Sequence, residues 1–271
     1  MAMARLLHLL LLLLLHFSFS SANLLLKRCG GGNYTNNSTY QSNVNQLLNF
    51  FTSSLNSTFS AQTNGSNPDT AYGLILCRGD VGPSDCSVCV QNAVQDVLSL
   101  CPNSKQATVW YDSCQLRYSN LPFFSSVSIP NPAVLLINRQ NMTNRIESFI
   151  QLQRKLLDKI TYHAAYNSSL MFATGAAVNG TDMEVNGLVQ CTRDLSKDNC
   201  SQCLQQIRGI YMGNEMRQGG RLLSESCNFR YETYSFYRGE PTILLNFAIP
   251  PAQSTQTLAG EGESHKTVIY Q

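Results

Sequence analysis

The sequence predicts two tandem α+β domains, each an antiparallel sheet with two helices on one face, closed by disulfides. Three observations predict it. The cysteine frame Cys77-x8-Cys86-x2-Cys89 recurs unchanged, 114 residues on, as Cys191-x8-Cys200-x2-Cys203. Each triplet is followed by one more cysteine in a strand-like run, Cys114 in "SCQLRY" and Cys227 in "SCNFRY". Around each frame the same order of helical and strand-like patterns repeats, helices and strands grouped rather than alternating.

The elements follow in order. Val44, Leu47, Leu48, Phe51 and Leu55 fall on one helical face, and Phe149, Leu152, Leu156 and Ile160 form the matching face in the second copy. A glycine-marked strand comes next, "AYGLILC" or "VNGLVQC". In the second helix Cys86, Cys89, Val90, Ala93 and Val97 share a face, as do Cys200, Cys203, Leu204, Ile207 and Tyr211. Strands close each copy: "ATVWYDSCQLRYS" in the first, "GRLLSESCNFRYETYSFY" and a further run "TILLNFAI" in the second. Trp110 is expected to pack in its strand, and the aromatics of "RYETYSFY" to alternate between core and surface.

The expected boundaries are residues 23–120 for the first domain, 121–133 for a connector carrying Pro122, Pro130 and Pro132, and 134–247 for the second domain. Residues 248–271 are polar, small and Pro/Gly-punctuated, and read as a disordered tail. Residues 1–22 read as a cleaved secretory leader: a charged start at Arg5, an apolar run with leucine from Leu9 to Leu15, and a Ser20-x-Ala22 cleavage site. That run is too short to span a bilayer, which needs roughly 20 residues. The mature chain is therefore expected to be extracellular, with no membrane span. Asn33, Asn36, Asn37, Asn56, Asn64, Asn141, Asn167 and Asn179 each open an Asn-x-Ser/Thr sequon, in keeping with secretion.

The formal charge of +2 is too small for a nucleic-acid footprint. Disulfides, a zinc site and a redox Cys-x-x-Cys compete for the cysteines. Zinc lacks histidines, because of the four only His163 and His265 lie outside the leader. A redox site needs one reactive dithiol, not two copies within an even set, so a disulfide framework is preferred and no metal or cofactor is expected. Cys29 and Cys101 alone have no counterpart in the second copy, and their joint absence there leaves no orphan thiol. The simplest inference pairs them. No Gly-x-Ser-x-Gly and no histidine beside a serine motif is present, so no enzyme is expected.

The triplet spacing, "AYG" and "NGL" before the first cysteine and "CNFRYE" after the last resemble the ginkbilobin-homologous domain. Plant cysteine-rich repeat secretory proteins and cysteine-rich receptor-like kinases carry it. The resemblance implies two helices on a five-stranded antiparallel sheet per domain. It also implies the pairs Cys29–Cys101, Cys77–Cys86, Cys89–Cys114, Cys191–Cys200 and Cys203–Cys227. The second domain, one bridge short, is expected to be the less stable unless it packs on the first. Some relatives bind mannose and inhibit fungi, through an Asn after the first cysteine, an Arg six before the last and a Glu five after it. The first domain holds Gly30, Thr108 and Ser119 there and is expected to lack the site. The second holds Arg221 and Glu232, with Asn138 or Asn141 near the place of the Asn. The bland alternative for Arg221 and Glu232 is a cross-strand ion pair on a solvated face. The resemblance thus implies a secreted, non-catalytic binding module of the plant apoplast, acting in defence or stress signalling on a mannose-type glycan or another extracellular receptor domain. Its alternatives are a mannose-binding antifungal lectin with its site in the second domain, and a truncated receptor-kinase ectodomain.

Overall fold

A computed structural model describes residues 23–53, 57–130, 133–180 and 183–247. The expected leader, the tail, Leu55 and Asn56 lie outside them. In the first domain the chain runs β1 (Leu24–Asn33), α1 (Thr39–Ser53), β2 (Phe59–Asn64), β3 (Ala71–Cys77), α2 (Pro83–Leu100), β4 (Ser104–Tyr111) and β5 (Cys114–Ser119). The second continues with β6 (Val134–Ile137), α3 (Ile146–Tyr162), a π-turn at His163–Asn167, β7 (Phe172–Asn179), β8 (Glu184–Cys191) and α4 (Lys197–Tyr211). It closes with β9 (Gly219–Leu223), β10 (Cys227–Glu232) and β11 (Ile243–Phe247).

The first sheet has five antiparallel strands in the order β1-β4-β5-β3-β2. The second has six, β11-β7-β8-β10-β9-β6, and β11 lies parallel to β7. That parallel edge departs from the five-stranded antiparallel expectation. A parallel partner needs a crossover to carry the chain back along the sheet, and residues 233–242 supply it. The same crossover ends the aromatic run: β10 stops at Glu232, Tyr231 is in the core, Tyr237 is buried and donates to Asn186 Oδ1, and Tyr234 is exposed.

The amphipathic faces do what their spacing dictates. Among the described residues, every helix position expected to face inward, from Val44 through Tyr211, is buried. The cysteine frame has a geometric reason. Cys77 and Cys114 are directly opposed on neighbouring strands, and Cys191 and Cys227 likewise. Cys86 and Cys89, one helical turn apart on α2, reach down to that pair as Cys77–Cys86 and Cys89–Cys114. Cys191–Cys200 and Cys203–Cys227 repeat the device on α4. Cys29–Cys101 ties the edge strand β1 to the end of α2. No cysteine is free.

With helices on one face, each sheet turns its other face to the other domain, giving the order helix, sheet, sheet, helix. Trp110 is buried there, not in its own domain's core, and its Nε1 donates to Ser224 O at 3.1 Å. Gln115 Nε2 donates to Glu225 O (2.8 Å) and Gln190 Nε2 to Cys77 O (2.9 Å). The expected connector, in its described residues 121–130 and 133, is a packed element; Pro132 lies outside the described residues. Phe123 is buried against Leu74 and Leu76, the Arg117 guanidinium stacks on its ring at 3.9 Å, and Ser128 N donates to Ser226 Oγ.

Candidate functional site

The four sequence-nominated residues separate in space. Arg221, Glu232 and Asn138 line one cleft of about 420 Å³ at the rim of the second sheet. Asn141 does not; it bridges to Arg217, and its carbonyl accepts from Gln218 Nε2. The cleft is formed by β6, β9 and β10 lying side by side. Its depth comes from Gly219 on β9, where a Cβ would run into Glu232 Oε2; the neighbouring Gly220 faces the other way, toward the Tyr211 hydroxyl on α4. Only glycine lets the Glu232 carboxylate fold across its neighbouring strand at that point.

Arg221 and Glu232 do not pair with each other. The Arg221 side chain is only 11% exposed and its Nη1 meets Asp112 Oδ1 of the first domain at 2.8 Å. Glu232 is buried and accepts from Arg230 Nε at 2.9 Å. The solvated cross-strand pair, the bland alternative for these residues, does not form; Arg221 pairs across the domains and Glu232 with Arg230. The reason is the β4–β5 turn, which carries Asp112 across to a cluster of three guanidiniums, Arg78, Arg221 and Arg230. Burial pushes the Asp112 carboxyl up, but Arg221 and Arg78 outweigh it and hold the carboxyl below the ordinary value. Burial pulls the Arg221 guanidinium down, against the pull of Asp112. Arg221 Nε remains buried without an acceptor.

Asn23, Leu25 and Asp112, all from the first domain, complete the cleft, with Tyr234 at its lip. Asn138 Oδ1 accepts from Gln140 N, so its amide protons stay available. The cleft thus offers guanidinium and amide donors, carboxylate acceptors and a phenol in one concavity, a set that suits a polyhydroxylated ligand. The equivalent place in the first domain, around Gly30, Thr108 and Ser119, holds only about 40 Å³. There Glu225 of the second domain fills the spot, paired with Arg117 at 2.9 Å.

A family model described as salt stress response/antifungal matches residues 28–121 and 137–234. The chain belongs to this family. Cysteine-rich repeat secretory protein 38 of Arabidopsis thaliana is 38% identical over 76% of the chain and 82% of its own length. Antimicrobial ginkbilobin-2-like protein of Castanea crenata is 37% identical over 82% of the chain and 88% of its own length. Cysteine-rich receptor-like protein kinase 10 of Oryza sativa is 35% identical over 94% of the chain, which spans only 41% of that kinase. The tandem ectodomain of the Arabidopsis thaliana receptor-like protein PDLP8 superposes with a TM-score of 0.69 at 23% identity, over 79% of the chain and 100% of that ectodomain, which establishes the tandem fold. Family members that are secretory proteins or ectodomains, and five disulfides, agree on an extracellular protein. Among the described residues no helix is long and apolar enough to cross a membrane, and no cluster of three or more His, Cys, Asp or Glu could hold a metal ion.

Within this family frame, sequence reasoning nominated Arg221, Glu232 and Asn138 but missed Asp112, Arg230, Tyr234, Asn23 just before β1 and Leu25 on it. The signal for two of them was present. "DSCQLR" and "ESCNFR" place an acid two residues before, and an arginine three residues after, the last cysteine of each domain. Those are Asp112 and Arg117 in one copy, Glu225 and Arg230 in the other.

Proposed function

We propose that this chain is a secreted, non-catalytic glycan-binding module of the plant apoplast, acting in defence or stress responses. Its ligand would be a mannose-type glycan held in the cleft of Asn138, Arg221 and Glu232. The observation that carries the reading is the contrast between the two domains: about 420 Å³ of concavity where the second domain has Arg and Glu, about 40 Å³ where the first has neither. In this reading Arg221 orients hydroxyls while anchored by Asp112, Glu232 accepts from them, and Asn138 donates. The antimicrobial name of the Castanea crenata relative fits an antifungal role.

The test is retention of the secreted, deglycosylated chain on mannose-agarose and a glycan array. Asn138→Ala and Glu232→Gln are compared with the parent, since both leave the Arg221–Asp112 pair in place. Retention lost in either variant supports the site. No retention of the parent, or retention in both variants equal to the parent's, removes it. A second reading, a receptor-type ectodomain that recognises another extracellular domain, is favoured by the 94% coverage of the chain by the rice kinase. An ectodomain pull-down unaffected by free mannose distinguishes it.

A further inference from the structure

A second cavity, of about 270 Å³, opens between α3 and α4 on the outer side of the second domain. Its apolar walls include Leu157, Tyr211 and Phe229. Two ion pairs bridge its ends, Arg154–Glu215 at 2.7 Å and Asp158–Arg208 at 2.6 Å. Gln153 lines it as well, is 1% exposed, and has a buried Nε2 with no acceptor. The Tyr231 phenol oxygen takes at most a long, weak contact from this amide, since it already donates to Arg217 O and shares a bond with Tyr211.

A buried amide without an acceptor is costly, and the first domain shows that the fold does not require it. Leu47 and Phe51 sit over Gly73, as Leu156 and Ile160 sit over Gly187, each glycine four residues before the first triplet cysteine of its domain. One turn back, the first domain has Val44, fully buried and satisfied. At the far end of the same cavity Glu215 stands near the place where the first domain has the bridged Cys101. The second domain thus places a polar donor beside an open cavity where the first domain has an apolar side chain.

We propose that this cavity binds a small, neutral, mainly apolar molecule carrying one carbonyl oxygen, which accepts from Gln153. The walls take the hydrocarbon body. Both arginines are balanced by carboxylates, so no net charge calls for an ion. The Asp158–Arg208 pair links α3 to α4 and the Arg154–Glu215 pair links α3 to the segment after α4, so an extended peptide cannot run through without breaking them. Met212, 65% exposed at the lip, is a side chain that adapts to varied shapes.

The full mature chain is titrated by fluorine NMR with 4′-fluoroacetophenone and with 1-ethyl-4-fluorobenzene, which has the same shape and no carbonyl. The parent is expected to bind the ketone about tenfold or more tightly than the hydrocarbon, a gap of about 1.4 kcal/mol. Gly209→Leu places a side chain at the exposed mouth, where an added Cβ meets nothing within 4 Å, and is expected to abolish binding of both with the fold intact. Gln153→Leu is expected to bind the two probes equally. No binding to the parent, equal binding of the two probes by the parent, or binding unchanged in Gly209→Leu overturns the proposal; Gly209→Leu decides it even where Gln153→Leu fails to fold.

Discussion

Asp112 of the first domain and Arg221 of the second meet at 2.8 Å, and the contact is returned by Glu225 of the second domain on Arg117 of the first, at 2.9 Å. Each acid sits two residues before the last cysteine of its own domain, on the turn that joins the last two strands of the shared repeat. The repeat thus uses one turn twice, to hold two copies of itself face to face.

Removing Asp112 leaves Arg78, Arg221 and Arg230 crowded together without their shared counter-ion. Asp112→Ala is expected to cost about 1–2 kcal/mol, below the value for a fully buried pair because the Asp112 side chain is 40% exposed. Denaturant unfolding checks it. Limited proteolysis should show earlier cleavage in residues 121–133, where Asp112→Ala loosens the domain contact.

The same carboxyl sets an acid limit. Its folded value lies below its ordinary value of 3.8, so its stabilisation is fully present above that value and is lost as pH falls through the depressed one. The melting temperature of the parent should exceed that of Asp112→Asn by a constant margin from pH 5 to 8, and the margin should close below about pH 4. A margin that grows on acidification would contradict the assignment.

Trp110 is the only tryptophan and lies in the domain interface. Its emission should be blue-shifted in the native chain and should move to the red when the domains part, even where secondary structure persists. Trp110→Phe leaves Ser224 O without its donor and is expected to cost about 1–3 kcal/mol. Chemical denaturation followed by circular dichroism measures it.

Cys29 and Cys101 are 72 residues apart. Replacing both with alanine is expected to cost about 4 kcal/mol by loop-closure entropy. Non-reducing peptide mapping should recover the five pairs, and a Cys86–Cys89 bridge would contradict the opposed-strand geometry. Unfolding of the separated domains tests whether the second, with two bridges, melts first.

The helices and the cysteine frame were legible in the sequence because both are short-range patterns. A helix face is a spacing of three and four, and Cys86-x2-Cys89 is one turn above two opposed strands. The domain pairing was not legible, because no periodicity says which acid meets which arginine across more than a hundred residues. Trp110 was read as a strand residue and is one, but the face it occupies belongs to the neighbour. The aromatic run after Tyr231 kept the alternation of a strand without becoming one: strand propensity records a fit to paired neighbours, and past Glu232 only Thr233 N, bonded to Gln218 O, still meets one. The Arg and Glu of the cleft came from a resemblance; the first domain's part in that cleft could be seen only once the sheets were stacked.

Because each sheet turns its helix-free face to the other domain and to the connector, the helices lie outermost and the edge strands are the exposed parts of the sheets. A partner arriving from outside therefore finds either the outer helices or an edge where strands of both domains end together. Along that edge, a molecule seated in the cleft of Asn138, Arg221 and Glu232 would touch both repeats at once, and any change in how they sit together would be felt there.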